Sequence, residues 1–513
     1  MTKDEPRGGD VSTEYAAPDG DGIETTHPAA HPAPGTLATE IPLAEPRGPI
    51  APPNGPTGPG AAPLAPWPHV LPLVERRPVV PDGFLAGGLA AGIKKSGRPD
   101  LALVRTVGGP AAVAAVFTSN AFAAAPVRLS QRNLAASEPS GAGRYGWAGA
   151  IVCTSGSANA ATGALGDTDQ GEIGRTTGAA LGLPEEAVLH LSTGVIGSRL
   201  PVDRVAAGVA RLAPALAATP DALTAAAAAF RTTDSRTKIA TTSVELPGAD
   251  GRPAAVTVSG IAKGVGMIHP RMATMLAVVL TDARIAPAAL HVVLRGATAR
   301  TWDQLSVDGD TSTNDTVFLV ASGTSAAAEV AAGSEAAARL EAAVEAIARD
   351  LARQQAGDGE GATTLITCRV TGAVDGADAR AVARAVVSSS LVKAAVHGRD
   401  PNWGRIAGAA GNARAAEAAI LEASGLDPAT AAARAGIAAA VDPARLRVAI
   451  AGHLVYDGAA GGPIPFDRAA ARAAMDDPEV VVALDLGLGA GIGEGFGCDL
   501  TEEYVIENSE YTT

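Results

Sequence analysis

Cysteine is scarce, with Cys153, Cys368 and Cys498 the only three in 513 residues. An odd, unpatterned trio excludes a disulfide frame and a zinc ribbon and predicts a reducing compartment, the cytoplasm. Aromatic residues amount to 3%, so little is left for stacking bases or sugars, and Ala, Val, Leu and Ile must fill the core. Basic residues are outnumbered 40 to 54, for a net charge of −14. That balance argues against nucleic acid or an anionic membrane as the main partner. No apolar run reaches about 18 residues, so no membrane span is expected. The N-terminus shows neither the apolar stretch nor the small-residue cleavage site of a secretory signal. The histidines show no ligand spacing, and no metal is expected.

What is present describes a globular chain: 47% apolar and 18% charged residues, with length for roughly two to four domains. Composition breaks near residue 80. Residues 1–80 hold 17 of the 36 prolines and 9 of the 60 glycines and show no amphipathic period, so they read as a disordered Pro/Gly-rich extension. Beyond it, strands and helices alternate, which gives an α/β or α+β class. Leu101–Arg105, Ala111–Phe117, Ala150–Cys153, Val188–Leu191, Ala273–Leu280 and Val480–Leu486 are expected strands. Thr219-Pro220-Asp221 opens a helix, with a hydroxyl cap and proline at its first position. Ala336–Gln355 is a long amphipathic helix.

The densest chemistry lies in Ala262–Leu276, AKGVGMIHPRMATML. A small residue, Ala273, precedes a hydroxyl, Thr274, at the head of an apolar strand. Self-cleavage needs that order, because the hydroxyl must reach the preceding carbonyl past an unobstructing side chain. An N→O shift followed by hydrolysis frees the α-amine of Thr274. Such an amine has a reference pKa of about 7.7–8.0 and can act as base for its own hydroxyl. Read from spacing alone, most Ala-Thr pairs before a strand are structural features.

Ala262–Asp282 (AKGVGMIHPRMATMLAVVLTD) resembles the signature of the ornithine acetyltransferase family, also called glutamate N-acetyltransferase, of arginine biosynthesis. Further blocks extend the resemblance from about Pro81 to Thr513. They are GFLAGGLAAGIK at Gly83–Lys94, VFTSNAFAAAPV at Val116–Val127, STGVIG at Ser192–Gly197 and TTD at Thr232–Asp234. VDGDTSTND at Val307–Asp315, DGEGAT at Asp358–Thr363, GRDPNWGRI at Gly398–Ile406 and GCDLTEEYVIENSEYTT at Gly497–Thr513 follow in order.

The resemblance implies a layered α-β-β-α fold of the N-terminal-nucleophile type, in two α/β parts. It implies cleavage between Ala273 and Thr274, giving an α chain that holds 81–273 and a β chain of 274–513, associated as α2β2. Thr274 would take an acetyl group from N2-acetylornithine and pass it to glutamate. Thr193 and Gly194 would form the oxyanion hole, a hydroxyl and a backbone N–H aimed at the tetrahedral oxygen. Lys263 would meet a substrate carboxylate and Glu360 an amine. One of Thr232 and Thr233 would touch substrate, as would Asn508 and Thr513. No cofactor is implied, although some family members take acetyl-CoA as donor.

Other features read more plainly. Asp308, Asp310 and Asp315 lack the ligand spacing of an EF-hand loop and suit a hydrogen-bonded structural loop. Gly487–Gly497 (GLGAGIGEGFG) fits no dinucleotide fingerprint and reads as a tight small-residue turn beside the site. His269 could serve as a base, but the α-amine makes that unnecessary. Cys153 reads as a buried apolar residue. Ser157 stands where the family commonly has Asn, and Val265 where it has Ser or Ala, which leaves substrate preference open. Two other functions stay open: an amidase or aminopeptidase of the same nucleophile type, and an uncleaved metabolite-binding protein.

Overall fold

A computed structural model describes residues 63–269 and 275–509. Among them lie three sheets. Four strands, in the order Phe84–Leu89, Leu101–Thr106, Ala150–Ser157 and Val188–Val195, form the first. The second has six, in the order Tyr145–Ala148, Ala111–Phe117, Thr316–Ala321, Leu276–Thr281, Pro253–Lys263 and Lys238–Pro247. These two sheets stack face to face. Phe84, Ile151 and Leu189 from the first meet Ile261, Val278 and Phe318 from the second in one apolar cluster. Alternation along each strand supplies the outer faces. Leu103, Val152 and Val188 turn outward onto Ile173 of helix Gly163–Leu181 and Val205 and Val209 of helix Val202–Leu212. Val258, Val279 and Leu319 turn outward onto Leu290 and Leu294 of helix Pro287–Arg300 and Leu340 and Ile347 of helix Glu335–Ala356. The result is the expected helix–sheet–sheet–helix layering.

The second part is built on a seven-stranded sheet, in the order Leu305–Ser306, Gly491–Cys498, Leu365–Ala373, Glu479–Asp485, Arg447–Ile450, His453–Asp457 and Gly462–Pro463. Val382 and Val386 of helix Gly376–Ser388 cover it. Part-buried ion pairs join the parts: Arg349 to Glu494 at 2.5 Å and Arg353 to Glu479 at 2.7 Å. The seam between the parts does not fall at the 273/274 bond. Strands Pro253–Lys263 and Leu276–Thr281, one from each side of it, pair antiparallel with Lys263 opposite Leu276.

The expected strands and helices have counterparts, with Ala111–Phe117 matching end to end. Of the expected strand Ala273–Leu280, Ala273 and Thr274 lie outside the described residues and the strand runs Leu276–Thr281. Thr219 caps helix Pro220–Phe230 by accepting from the Ala222 N–H at 3.3 Å. Two expectations need correction. Gly491–Cys498 is a strand inside the seven-stranded sheet, not a tight turn. Its glycines serve close packing: a Cβ on Gly493 would lie 2.5 Å from the Arg380 nitrogen of the covering helix, and one on Gly491 2.2 Å from the Asp375 carbonyl carbon. The ordered fold also begins before residue 80. Glu75 pairs with Thr241 at the sheet edge, and Arg76 binds Asp350 at 2.7 Å. Proline content conceals this, because an extended edge segment tolerates proline. Residues 1–62 lie outside the described residues. No helix among those described is long and apolar enough to cross a membrane.

Candidate active site

Strand Val188–Val195 runs parallel to Ala150–Ser157, and the two end together at small residues. Gly194 has φ +127°, and a Cβ there would lie 2.4 Å from the Gly156 carbonyl carbon. Only glycine lets these two strand ends close. Ser157 donates to the Ser198 carbonyl at 2.7 Å and accepts from the Asn159 N–H at 3.2 Å, so it braces the turn. Asn314 holds the Ser192 carbonyl at 2.8 Å. Thr193 is thus fixed from both sides.

Lys263 ends the strand Pro253–Lys263, 6% exposed, and donates to the Thr193 hydroxyl at 3.1 Å. Its own carbonyl accepts from the Gln355 amide at 2.8 Å. The ammonium occupies one of the hydroxyl's two lone pairs, and the O–H itself stays available as a donor. Lys263 is opposite Leu276, which follows Thr274 by two residues in sequence. Ala273, Thr274 and Thr513 themselves lie outside the described residues.

A second group assembles beside the first. Glu360 accepts from the Thr233 hydroxyl at 2.8 Å and from the Asn508 amide at 3.0 Å. Its backbone N–H donates to the Val265 carbonyl at 2.9 Å, and a Cβ on Gly266 would lie 2.1 Å from its carboxylate. Thr233, and not Thr232, presents its hydroxyl here; Thr232 contributes its backbone to Asp234 and Arg98. The structure therefore joins Thr193 to Lys263, and Thr233 and Asn508 to Glu360.

Two further sequence blocks are supports. Asp100 accepts from the backbone of Ala91, Ile93 and Lys94 at 2.6–3.0 Å, which shapes the end of Gly83–Lys94. Lys94 donates to the Arg231 carbonyl at 2.5 Å, next to Thr232, and burial lowers its amine to about 8. Asp308 accepts from the N–H groups of Met267 and Ile268, so VDGDTSTND braces the approach to the proposed cleavage site. No group of three metal-binding side chains is found among the described residues. The His269 imidazole meets the Ser306 hydroxyl at 3.0 Å. Cys153 is fully buried, and burial pushes its thiol far above its usual range, which leaves an inert apolar residue.

Lys238 escaped sequence reasoning, and Asp315 was read only as part of a structural loop. Lys238 is buried with Asp234 and Asp358. The acid–lysine spacing of four in TTDSRTK, just before an apolar strand, was the available signal. Asp315 is 3% exposed, and neither carboxyl oxygen makes a well-formed hydrogen bond. Burial holds it well above the ordinary carboxylate range, against the nearby Met275 N–H and the charge of Lys263.

The sequence pattern of the ArgJ family matches residues 85–513. The chain belongs to the ArgJ family. It is 42% identical over 434 residues to the arginine biosynthesis bifunctional protein ArgJ of Thermus thermophilus, covering 85% of this chain and 99% of that one. The ArgJ protein of Geobacillus stearothermophilus is 38% identical over 435 residues, with coverages of 85% and 96%. A solved chain of Bacillus halodurans ArgJ is 35% identical, with a TM-score of 0.40, covering 46% of this chain and 99% of that one. Ornithine acetyltransferase from Mycobacterium tuberculosis, solved in complex with ornithine, is 36% identical, with a TM-score of 0.33 and coverages of 39% and 98%. As an ArgJ member the chain is an acyltransferase of arginine biosynthesis.

Proposed function

We propose that the chain cleaves itself between Ala273 and Thr274, and that Thr274 then carries acetyl from N2-acetylornithine to glutamate. In the first step the Thr274 hydroxyl attacks the Ala273 carbonyl, the C–N bond breaks, and the proton passes to the departing amine. Water hydrolyses the resulting ester and leaves a free hydroxyl and amine on one residue. In each turnover the hydroxyl attacks the acetyl carbonyl of the donor, its proton passing by way of that amine to the departing ornithine amine. Glutamate's amine then attacks the ester and regenerates the hydroxyl. Thr193 and Gly194 stabilise the oxyanion in both half-reactions, and Glu360 receives a substrate ammonium. Lys263 meets the substrate carboxylate while holding Thr193.

The Lys263–Thr193 hydrogen bond carries this reading. It fixes a hydroxyl donor beside a cation at the strand end opposite Leu276, two residues after the proposed nucleophile. Residues from both sides of the bond build the site. Both sides also contribute strands to one sheet, so the cleaved chains stay together. A cytoplasmic α2β2 assembly and acetyl-CoA as a second donor belong to the same reading.

Intact mass and N-terminal sequencing of the purified protein test the cleavage. The expected second chain begins TMLAVVL. Incubation with N2-acetylornithine should give N-acetylglutamate only when glutamate is present. Release of free acetate without an acceptor would identify an amidase instead, and a single uncleaved chain would remove the nucleophile.

A further inference from the structure

Lys238 opens the strand Lys238–Pro247, opposite Ala262 and one residue from the Lys263 register. Its side chain is 0% exposed and carries a charge that only close partners can compensate. It has two: Asp234 Oδ1 at 2.6 Å and Asp358 Oδ2 at 2.5 Å, themselves 0% and 4% exposed. Each carboxylate anchors a different piece of the site. Asp234 accepts from the Gly264 N–H at 2.9 Å, next to Lys263, and from the Thr232 N–H at 3.1 Å. Asp358 accepts from the Ser235 N–H at 3.2 Å and from the Ser235 hydroxyl. Glu360 lies two residues beyond Asp358, and Thr233 one residue before Asp234.

We propose that Lys238 is a positioning residue that sets the spacing between the Thr232–Asp234 and Asp358–Thr363 segments, and thereby the Thr233–Glu360 pair that receives the substrate ammonium. This rests on the acetyl-transfer reading. With Lys238 in place, both carboxylates share one ammonium, and the charges of Lys263 and Lys94 also reach Asp234. Without it, Asp234 and Asp358 lose the one ammonium that both of them bind. Repulsion then parts the two segments and pulls Lys263 toward the acids, away from Thr193. Lys238 touches neither substrate nor reacting atoms. It acts through the loops that do.

The test compares Lys238→Met, Asp358→Asn and the double variant with the wild type in the full-length protein. Hydrogen exchange is read over residues 232–237 and 357–361, alongside kcat and KM for N2-acetylornithine. Lys238→Met should lose protection in both segments and raise KM about tenfold, with a smaller fall in kcat. Adding Asp358→Asn removes the unbalanced charge and should bring KM back to within about threefold of wild type. Where Lys238→Met does not accumulate as folded protein, Asp358→Asn alone decides, with a smaller KM rise expected. Unchanged protection in both segments, or a folded variant with unchanged KM, overturns the proposal. If the wild type transfers no acetyl group, the functional reading falls and the exchange measurement still decides Lys238.

Discussion

Lys263 donates to the Thr193 hydroxyl at 3.1 Å, so the threonine oxygen accepts there and its own proton points away from the ammonium. With the ammonium on one lone pair, the Thr193 O–H remains free to donate to a developing oxyanion. Thr193→Ala should therefore lower kcat by about 10²–10³, or about 2.7–4 kcal/mol, with little change in KM. Lys263→Met should cost both kcat and KM, because the lysine also meets the substrate carboxylate. In the double variant the two losses should fall short of additivity, since one interaction is shared. Steady-state kinetics on the four proteins checks this. Full additivity would separate the residues.

Glu360 is held by Thr233 at 2.8 Å and Asn508 at 3.0 Å, one from each side of the proposed cleavage. Glu360→Gln keeps the acceptor for Thr233 and loses the charge. KM for N2-acetylornithine and the inhibition constant of ornithine should both rise by about tenfold, the worth of one charge-assisted hydrogen bond. Asn508→Ala should give a weaker effect in the same direction. Product-inhibition kinetics reads both, and an unaltered inhibition constant would place the ammonium elsewhere.

Much of this was legible in the sequence, for physical reasons that differ by residue. Ala111–Phe117 is read end to end because a strand covered on both faces is a continuous apolar run. Thr219-Pro220 marks its helix because capping is local chemistry. Gly491–Cys498 misled because a strand packed against a helix backbone looks like a loop when its side chains are glycine. The extended segment around Glu75 was hidden by its neighbouring prolines. In the site, the choice between Thr233 and Thr232 and the pairing of Lys238 with Asp358 depend on contacts more than 100 residues apart in sequence. Spacing along the chain cannot carry that information.

His190 lies four residues before Gly194 on the same strand and is wholly buried, with Nδ1 3.0 Å from the Gln170 amide and no hydrogen-bond partner for Nε2. Burial depresses the imidazole to about 3. An unfolded histidine takes its proton near 6.5. Between those values the unfolded chain binds a proton that the folded chain refuses, so stability falls as pH drops through 6.5 toward 3. At pH 4.5 the loss from this one residue is on the order of 2–3 kcal/mol relative to neutral pH. His190→Leu should be less stable at pH 7.5, where it leaves the Gln170 amide unpaired, yet lose less on going to pH 4.5. Urea unfolding at both values measures the difference, and equal losses in both proteins would mean the imidazole takes its proton in the folded state.

Gly194 and Gly197 share a motif and a positive φ, +127° and +83°, yet their surroundings differ. A Cβ at Gly194 meets the backbone of Gly156 and Ser157 at 2.4–2.7 Å, whereas one at Gly197 meets nothing within 4 Å. Gly197→Ala should cost only the left-handed conformation, about 1–2 kcal/mol, with kcat nearly kept. Gly194→Ala must part the two parallel strand ends, which cannot yield as a flexible side chain would, and so displaces Thr193 with the proposed backbone donor. Its kcat should fall at least as far as that of Thr193→Ala, and its melting temperature below that of Gly197→Ala. Similar kcat values for the two alanine variants would show that the strand junction at Gly156 does not hold the oxyanion donors.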